Sequence, residues 1–221
     1  MNHEDRRWEC IVSGLSDEEI ESKLRPGLQR PPARVRLNPQ RPSAAEIYRE
    51  VERTKVAPNR GIADGVYSLR RRYDRRWHFG RDHDYTFEQQ AALLVASDGP
   101  AFRGYFNSVS SVLVPYDGDG IYLTISAEML YVLPAYRGNC YSIDLSVAAG
   151  WMVRELLRAV YWATPARNTL HTTLRADLVS TGGQHFVEKL IESLEYEIEI
   201  LTEENLRPSL HVEKLDFDGG W

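Results

Sequence analysis

What the chain lacks argues against disulfides, cysteine-based zinc sites and membrane-spanning segments. Its 221 residues include two cysteines, Cys10 and Cys140, which lie far apart and match no metal-ligand spacing. A chain of this length can bury a core without disulfides, so two scattered cysteines indicate a reducing compartment. No run approaches the roughly 20 apolar residues of a membrane helix, and the first residues lead into no signal-peptide core. We therefore expect a cytoplasmic protein with no membrane partner.

Positive charge is concentrated in the first part of the sequence. Residues 1–82 hold 18 Lys or Arg against 13 Asp or Glu, whereas residues 83–221 hold 9 against 19. The densest basic stretch is "RRRYDRRWHFGR" at residues 70–81, where charge alternates with aromatic rings as in proteins that bind single-stranded nucleic acid. No RNA-binding motif accompanies it, so a solvated basic face or a contact to an adenosine phosphate is the simpler interpretation. RNA is kept as a candidate partner of this N-terminal half.

The sequence divides into two parts near residue 84. The first part contains a strand signal and two helix signals, each helix opening on a capping box that begins at Ser16 or Ser43. Between them, residues 25–43 contain five prolines, which exclude a helix or a central strand. We expect residues 1–84 to form an N-terminal strand, helices and a basic Pro/Arg-rich arm. They would be packed on, or appended to, a core of residues 85–221.

The second part reads as a mixture of strands and helices. Three apolar segments at 91–97, 102–116 and 121–134 end in Gly, Asp or Pro turns, which is typical of an antiparallel meander. Apolar residues recur every three or four positions between Ile143 and Tyr161 and predict an amphipathic helix. A strand at 169–180, a helix at 182–194 and closing strands at 196–202 and 209–217 follow. The predicted fold class is α+β, with a mixed, mostly antiparallel central sheet flanked by helices.

The segment "YVLPAYRGNCYS" at residues 131–142 carries a resemblance to a known family. Together with the order of elements, it resembles the GNAT superfamily of N-acetyltransferases over roughly residues 85–200. In that superfamily the fourth strand ends in a Val-x-Pro-x-Tyr-Arg-Gly-like sequence, which is matched here by Val132, Pro134, Tyr136, Arg137 and Gly138. The resemblance implies a GNAT-like acyltransferase core.

The same resemblance implies acetyl-CoA, or another acyl-CoA, as co-substrate and no metal. The family follows the strand with an Arg/Gln-x-x-Gly-x-Gly/Ala loop whose backbone amides hold the pyrophosphate, and a helix N-terminus favours such an anion. This chain departs from the pattern, because Cys140 and Ser142 stand where the family prefers Gly and Gly or Ala. The residues expected to contact the cofactor are Leu130, Val132, Arg137, Gly138, Asn139, Cys140, Tyr141, Ser142 and Ser180.

Acyl transfer to an amine needs a neutral amine, a polarised carbonyl and a protonated leaving thiolate. The resemblance points to Glu128, four residues before Val132, as the general base, and a carboxylate among apolar neighbours suits that role. A surface salt bridge is an equal alternative for this residue. The tyrosine that family members often use as the acid falls on Val187. The first candidate substitute is His185, and the others are Tyr136, Tyr141 and Tyr196. A mechanism without an acid is the remaining alternative, because a thiolate is a tolerable leaving group.

The leading hypothesis is an acyl-CoA-dependent N-acyltransferase, most simply an acetyltransferase, acting by direct attack in a ternary complex. The acceptor would be a small-molecule or protein amine, and the resemblance leaves room for a homodimer. A variant of this hypothesis takes the acyl group from an acidic acyl carrier protein, which the basic N-terminal half could dock. The alternative from another class is a catalytically degenerate module that keeps the fold for binding or structure, because fold does not settle function.

Overall fold

The computed structural model describes most of the chain from residue 77 onward and shorter stretches before it. The described residues are 32–37, 39, 46, 47, 49, 50, 77–81, 85–116, 118, 120–177, 181–204 and 207–220. The strand expected at 7–14, the helix that opens at Ser16, and Ser180 lie outside them. Of the helix that opens at Ser43, residues 46, 47, 49 and 50 are described, and they are helical.

Eight strands and two long helices make up the described part of the chain. They are β1 (Val35–Leu37), β2 (Trp77–Arg81), β3 (Tyr85–Asp98), β4 (Ala101–Pro115), β5 (Gly120–Val132), α1 (Tyr141–Ala163), β6 (Thr169–Asp177), α2 (Thr181–Glu203), β7 (His211–Val212) and β8 (Asp216–Gly220). A short 3-10 turn, Pro134–Tyr136, joins β5 to the approach of α1.

One mixed sheet contains all eight strands. β3, β4 and β5 form the predicted antiparallel meander, and β1 and β2 both pair antiparallel with the outer edge of β3. β6 lies parallel to β5, and β7 and β8 lie parallel to β6. A parallel pair needs a long crossover, which α1 supplies between β5 and β6 and α2 supplies between β6 and β7. The α+β fold class with a mostly antiparallel sheet flanked by helices is confirmed.

Both faces of the sheet carry apolar side chains. The larger cluster, here called the helix-face cluster, packs α1 and α2 on one face, and Phe106 of β4 meets Phe186 of α2 with ring centroids 4.7 Å apart. The smaller one, here called the Ile47-face cluster, lies on the opposite face and contains Ile47, Leu93, Val95, Tyr105, Tyr131 and Leu133. Strand side chains alternate between these two clusters, as a sheet buried on both faces requires.

One predicted strand is wrong. Residues 196–202 alternate polar and apolar in "YEIEILT", but they belong to α2, which continues to Glu203. Buried residues of α2 recur at steps of four, four and three, at Leu190, Leu194, Ile198 and Leu201. This spacing is that of one face of a helix, which explains why the segment is not a strand. The short strand β2 is a further difference, because residues 77–81 show no strand pattern in the sequence.

Candidate functional site

β5 extends beyond the strand that lies parallel to it. Pairing between β5 and β6 ends at Ala127 opposite Ala176, whereas pairing with β4 continues to Val132. Residues 128–132 therefore have no strand beside them on the β6 side in the described part of the chain. A strand edge of this kind presents backbone N–H and C=O groups to a ligand.

A β-bulge stands where the open edge begins. Asn107 of β4 pairs with Met129 and Ser108 pairs with Ala127, so Glu128 is the extra residue. The direction of the side chains shows the same insertion. In a regular strand, Ile125 and Leu130 would point to opposite faces, but both pack toward the helix-face cluster. Bulges often redirect a side chain beside a functional site. The proposed base Glu128 thus occupies an irregular and partly buried position.

Two residues in the turn after β5 adopt left-handed backbone conformations. Gly138 has φ 84° and Cys140 has φ 62°. α1 starts at the next residue, with Cys140 as its N-cap and no side-chain hydrogen bond closing the cap. The Arg137 Nε donates to the carbonyl oxygen of Val132 at 3.2 Å, which ties the turn to the end of β5.

The first turn of α1 offers backbone donors to an anion. The Asp144 N–H donates to the Cys140 carbonyl at 3.0 Å and begins the helical pattern. Because the N–H groups of residues 141–143 precede any intrahelical acceptor, they and the positive end of the helix dipole face the turn. A phosphate or carboxylate fits this geometry.

Arginine side chains pack on tyrosine rings around this turn. The Arg34 guanidinium lies 4.6 Å from the Tyr141 ring centroid and forms an ion pair with Asp144 in the first turns of α1. The hydrogen bond to Asp144 raises the pKa of Arg34. The Asp144 carboxylate therefore already offsets part of the positive potential at the N-terminus of α1.

A second stack lies next to the first, because the Tyr136 and Tyr141 ring centroids are 6.3 Å apart. The Arg103 guanidinium is 3.9 Å from the Tyr136 ring centroid, and its Nη2 is 3.6 Å from Asp98. Beside these groups a cavity of about 360 Å³ opens between β1, the β3–β4 hairpin and α1. Its lining residues are Ala33, Arg34, Arg36, Ser97, Asp98, Gly99 and Tyr141. The turn therefore has basic and aromatic surroundings that a phosphate-bearing ligand could use.

The structure brings most of the predicted site residues onto one continuous segment. Glu128, Leu130 and Val132 lie on the open part of β5, and the residues from Arg137 to Ser142 form the turn and the start of α1. His185 differs: it lies on α2, is 73% exposed and contacts Glu188, with Nδ1 and Oε2 3.0 Å apart. That contact lowers the pKa of Glu188. His185 is thus turned to solvent, and Val187 is buried in the helix-face cluster.

Several residues near the site carry no sequence signal. Arg34 immediately precedes β1, and Arg103, Tyr105 and Asn107 come from β4. They reach the site through strand register, which no local pattern in the sequence displays. Within the described ranges, no three His, Cys, Asp or Glu side chains gather as a metal site, and neither long helix has an apolar stretch that would cross a bilayer.

Comparison with known proteins does not assign the chain to a family. No family model matches the chain, and no curated protein matches it. Among solved structures, a transcriptional regulator from Bacillus halodurans C-125 is similar at 16% identity with a TM-score of 0.36, covering 71% of this chain and 89% of that chain. A TM-score at this level establishes neither a shared activity nor a shared family. Membership of the GNAT superfamily stays a prediction.

Proposed function

We propose that the protein is an acyl-CoA-dependent N-acyltransferase, with acetyl-CoA as the first donor to test. The observation that carries this proposal is the continuity between an open strand edge and a helix N-terminus. Among the described residues, no strand pairs with residues 128–132 on the β6 side, and the chain then turns directly into the donor groups of α1. A donor with a pyrophosphate at one end and a thioester at the other matches this order.

Each part of the donor has a counterpart on the protein. The pyrophosphate would accept from the N–H groups of residues 141–143, with Arg137 beside them. The arm between pyrophosphate and thioester carries amide groups, which would pair with the backbone edge at Leu130 and Val132 in the manner of an added strand. The thioester would then lie near Glu128.

The chemistry asked of the protein is modest. The amine nitrogen attacks the thioester carbonyl, a C–N bond forms, and the C–S bond breaks. Glu128 takes the proton that the amine loses, directly or through water, and the thiolate leaves and is protonated from solvent. His185 is not needed for this sequence of steps, which agrees with its exposed position on α2.

The test is calorimetric titration with acetyl-CoA of the wild type and two variants at one position. Gly138→Ala adds the strain of a side chain at φ 84°, whereas Gly138→Asp adds no more strain than that, together with a negative charge in open space. We expect micromolar binding by the wild type, nearly the same affinity for the alanine variant, and a loss of about tenfold or more for aspartate. Equal losses of acetyl-CoA affinity in both variants would contradict the proposal that this turn binds the negatively charged pyrophosphate.

Two other outcomes separate the alternatives. If the wild type does not bind acetyl-CoA at millimolar concentration, the donor hypothesis fails, and an acyl carrier protein becomes the donor to test. If acetyl-CoA binds but an amine screen finds no transfer, the degenerate binding module is favoured. Where transfer is found, Glu128→Gln should lower kcat by about a hundredfold with unchanged acetyl-CoA affinity.

A further inference from the structure

Four side chains of β4 contain a buried polar atom with no hydrogen-bond partner among the described residues: Arg103, Tyr105, Asn107 and Ser108. Tyr105 is fully buried and Asn107 is 5% exposed. Neither the Tyr105 hydroxyl nor the Asn107 Oδ1 has a hydrogen-bond partner in the part of the chain that the structure describes. Buried unpaired polar atoms are unfavourable, and native proteins keep few of them. Arg103 already contacts Asp98 through its Nη2, and Ser108 is on the opposite face of the strand. Tyr105 and Asn107 are therefore the pair that indicates a shared ligand, which would supply the missing partners.

The pair lies next to the bulge that holds the proposed base. Tyr105 belongs to the Ile47-face cluster, and Asn107 follows two residues later on β4, so both side chains are on the same face. Across the strand pair, Tyr105 is opposite Tyr131 and Asn107 is opposite Met129, the residue that follows Glu128. The unpaired oxygens thus sit on the Ile47 face beside the bulge.

The chemistry of the two groups restricts what they bind. The Asn107 Oδ1 only accepts hydrogen bonds, so the ligand must present an N–H or O–H group to it. Burial raises the pKa of Tyr105, and its hydroxyl therefore stays protonated at neutral pH and can both donate and accept. An amine nitrogen supplies the donor that Oδ1 lacks.

We propose that Asn107 positions the acceptor amine, which enters from the Ile47 face and donates an N–H to the Asn107 Oδ1, with Tyr105 as a second polar contact. The inference rests on the proposed function, because it assigns the face from which the acceptor approaches the acyl group. Met129, half-buried opposite Asn107, is a flexible side chain that can move aside to admit a small amine. Asn107 is a positioning residue, and Glu128 takes the proton.

The experiment follows the side-chain amide of Asn107 by NMR while n-propylamine hydrochloride is added to the full chain saturated with coenzyme A. The signal is assigned by its disappearance in Asn107→Leu, and the exposed Asn139 of the turn is the matched control. We expect the Asn107 amide to shift saturably and the Asn139 amide not to shift. With acetyl-CoA, Asn107→Leu should raise the KM for propylamine about tenfold or more with kcat less affected, and Asn107→Asp, which keeps an acceptor oxygen, should restore most of it.

The leucine variant has an independent readout of folding. If the Asn107 Oδ1 is unpaired in the free protein, an apolar side chain of similar shape should leave the urea unfolding midpoint equal or higher, so lost amine binding cannot be ascribed to unfolding. An unshifted Asn107 amide with an unchanged KM in Asn107→Leu would overturn the inference and indicate a buried water instead. The same titration without coenzyme A separates the two proposals. A saturable shift there, in a chain that does not bind acetyl-CoA, would keep the amine site and reject the acyltransferase.

Discussion

Cys140 holds a backbone conformation that a side chain disfavours. Its φ of 62° places it in the left-handed region at the N-cap of α1. A Cβ there crowds the following carbonyl at a cost of about 1–2 kcal/mol, which glycine avoids. The position where the GNAT pattern prefers glycine is therefore one where this backbone conformation favours glycine, although the chain has a cysteine there.

We predict that Cys140→Gly stabilises the protein by about 1 kcal/mol, because the strain disappears while glycine's extra freedom in the unfolded chain offsets part of the gain. Chemical denaturation measures the change. Ser142→Gly is the control: it lies inside the first turn of α1, where glycine should cost about 0.5–1 kcal/mol. A Cys140→Gly variant less stable than the wild type would mean that the thiol makes a stabilising contact.

Glu88 makes stability depend on pH. Burial raises the pKa of Glu88 to about 7 from an ordinary value of 4.5, and its Oε2 has no hydrogen-bond partner among the described residues. The folded protein then keeps a proton that the unfolded chain releases, so stability falls as the pH rises from 4.5 to about 7. Glu88→Gln should flatten this fall and be more stable than the wild type at about pH 8. Urea midpoints at the two ends of the range test it, and an unchanged slope would assign the titration to another group.

At the scale of elements, α1 and α2 are joined by a buried ion pair. Glu197 of α2 is fully buried and accepts two hydrogen bonds from Arg158 of α1, at 2.5 and 2.8 Å. Glu155 also contacts Arg158 at 3.3 Å, and burial raises the pKa of Glu155. The helices approach closely beside this network, since a Cβ on Gly150 would lie 2.6 Å from the Ser193 Oγ.

Arg158→Met should lower the free energy of unfolding by about 3 kcal/mol, because it leaves Glu197 buried without its main partner. The double variant Arg158→Met, Glu197→Leu should recover most of that loss, since no charge is then left buried. Chemical denaturation of the two single variants and the double variant forms a thermodynamic cycle. A double variant as unstable as Arg158→Met would show that the pair contributes through packing rather than charge.

The elements that the sequence predicts correctly are those whose pattern lies within their own segment. The meander and α1 carry their own periodicity and turn residues, so their positions could be predicted. The second half of α2 is predicted as a strand because glutamate and isoleucine alternate there. Its packing against the helix-face cluster shows that it is a helix. The turn from Arg137 to Ser142 was predictable as one short motif, whereas Arg34 and Asn107 were not, because strand pairing brings them in from distant segments.

For the whole molecule, donor binding should appear as stability. If acetyl-CoA binds only the folded chain, a concentration of 100 times Kd adds about 2.7 kcal/mol. For a chain of this length that corresponds to roughly 5–10 °C in Tm. Thermal melts with acetyl-CoA and with pantetheine, which lacks the pyrophosphate, test the contribution of the α1 N-terminus. Equal shifts from the two compounds would assign the binding to the strand edge alone.

β1 has a consequence for the order of assembly. It is three residues long and pairs with β3 at Leu94–Ala96, about sixty positions further along the chain, whereas the meander pairs near neighbours. Closing so long a loop for so few hydrogen bonds is unfavourable until the rest has formed. Arg34 immediately precedes this strand, so its contacts with Tyr141 and Asp144 of α1 would form last in folding. The same contacts would be the first part of the site to open in hydrogen exchange.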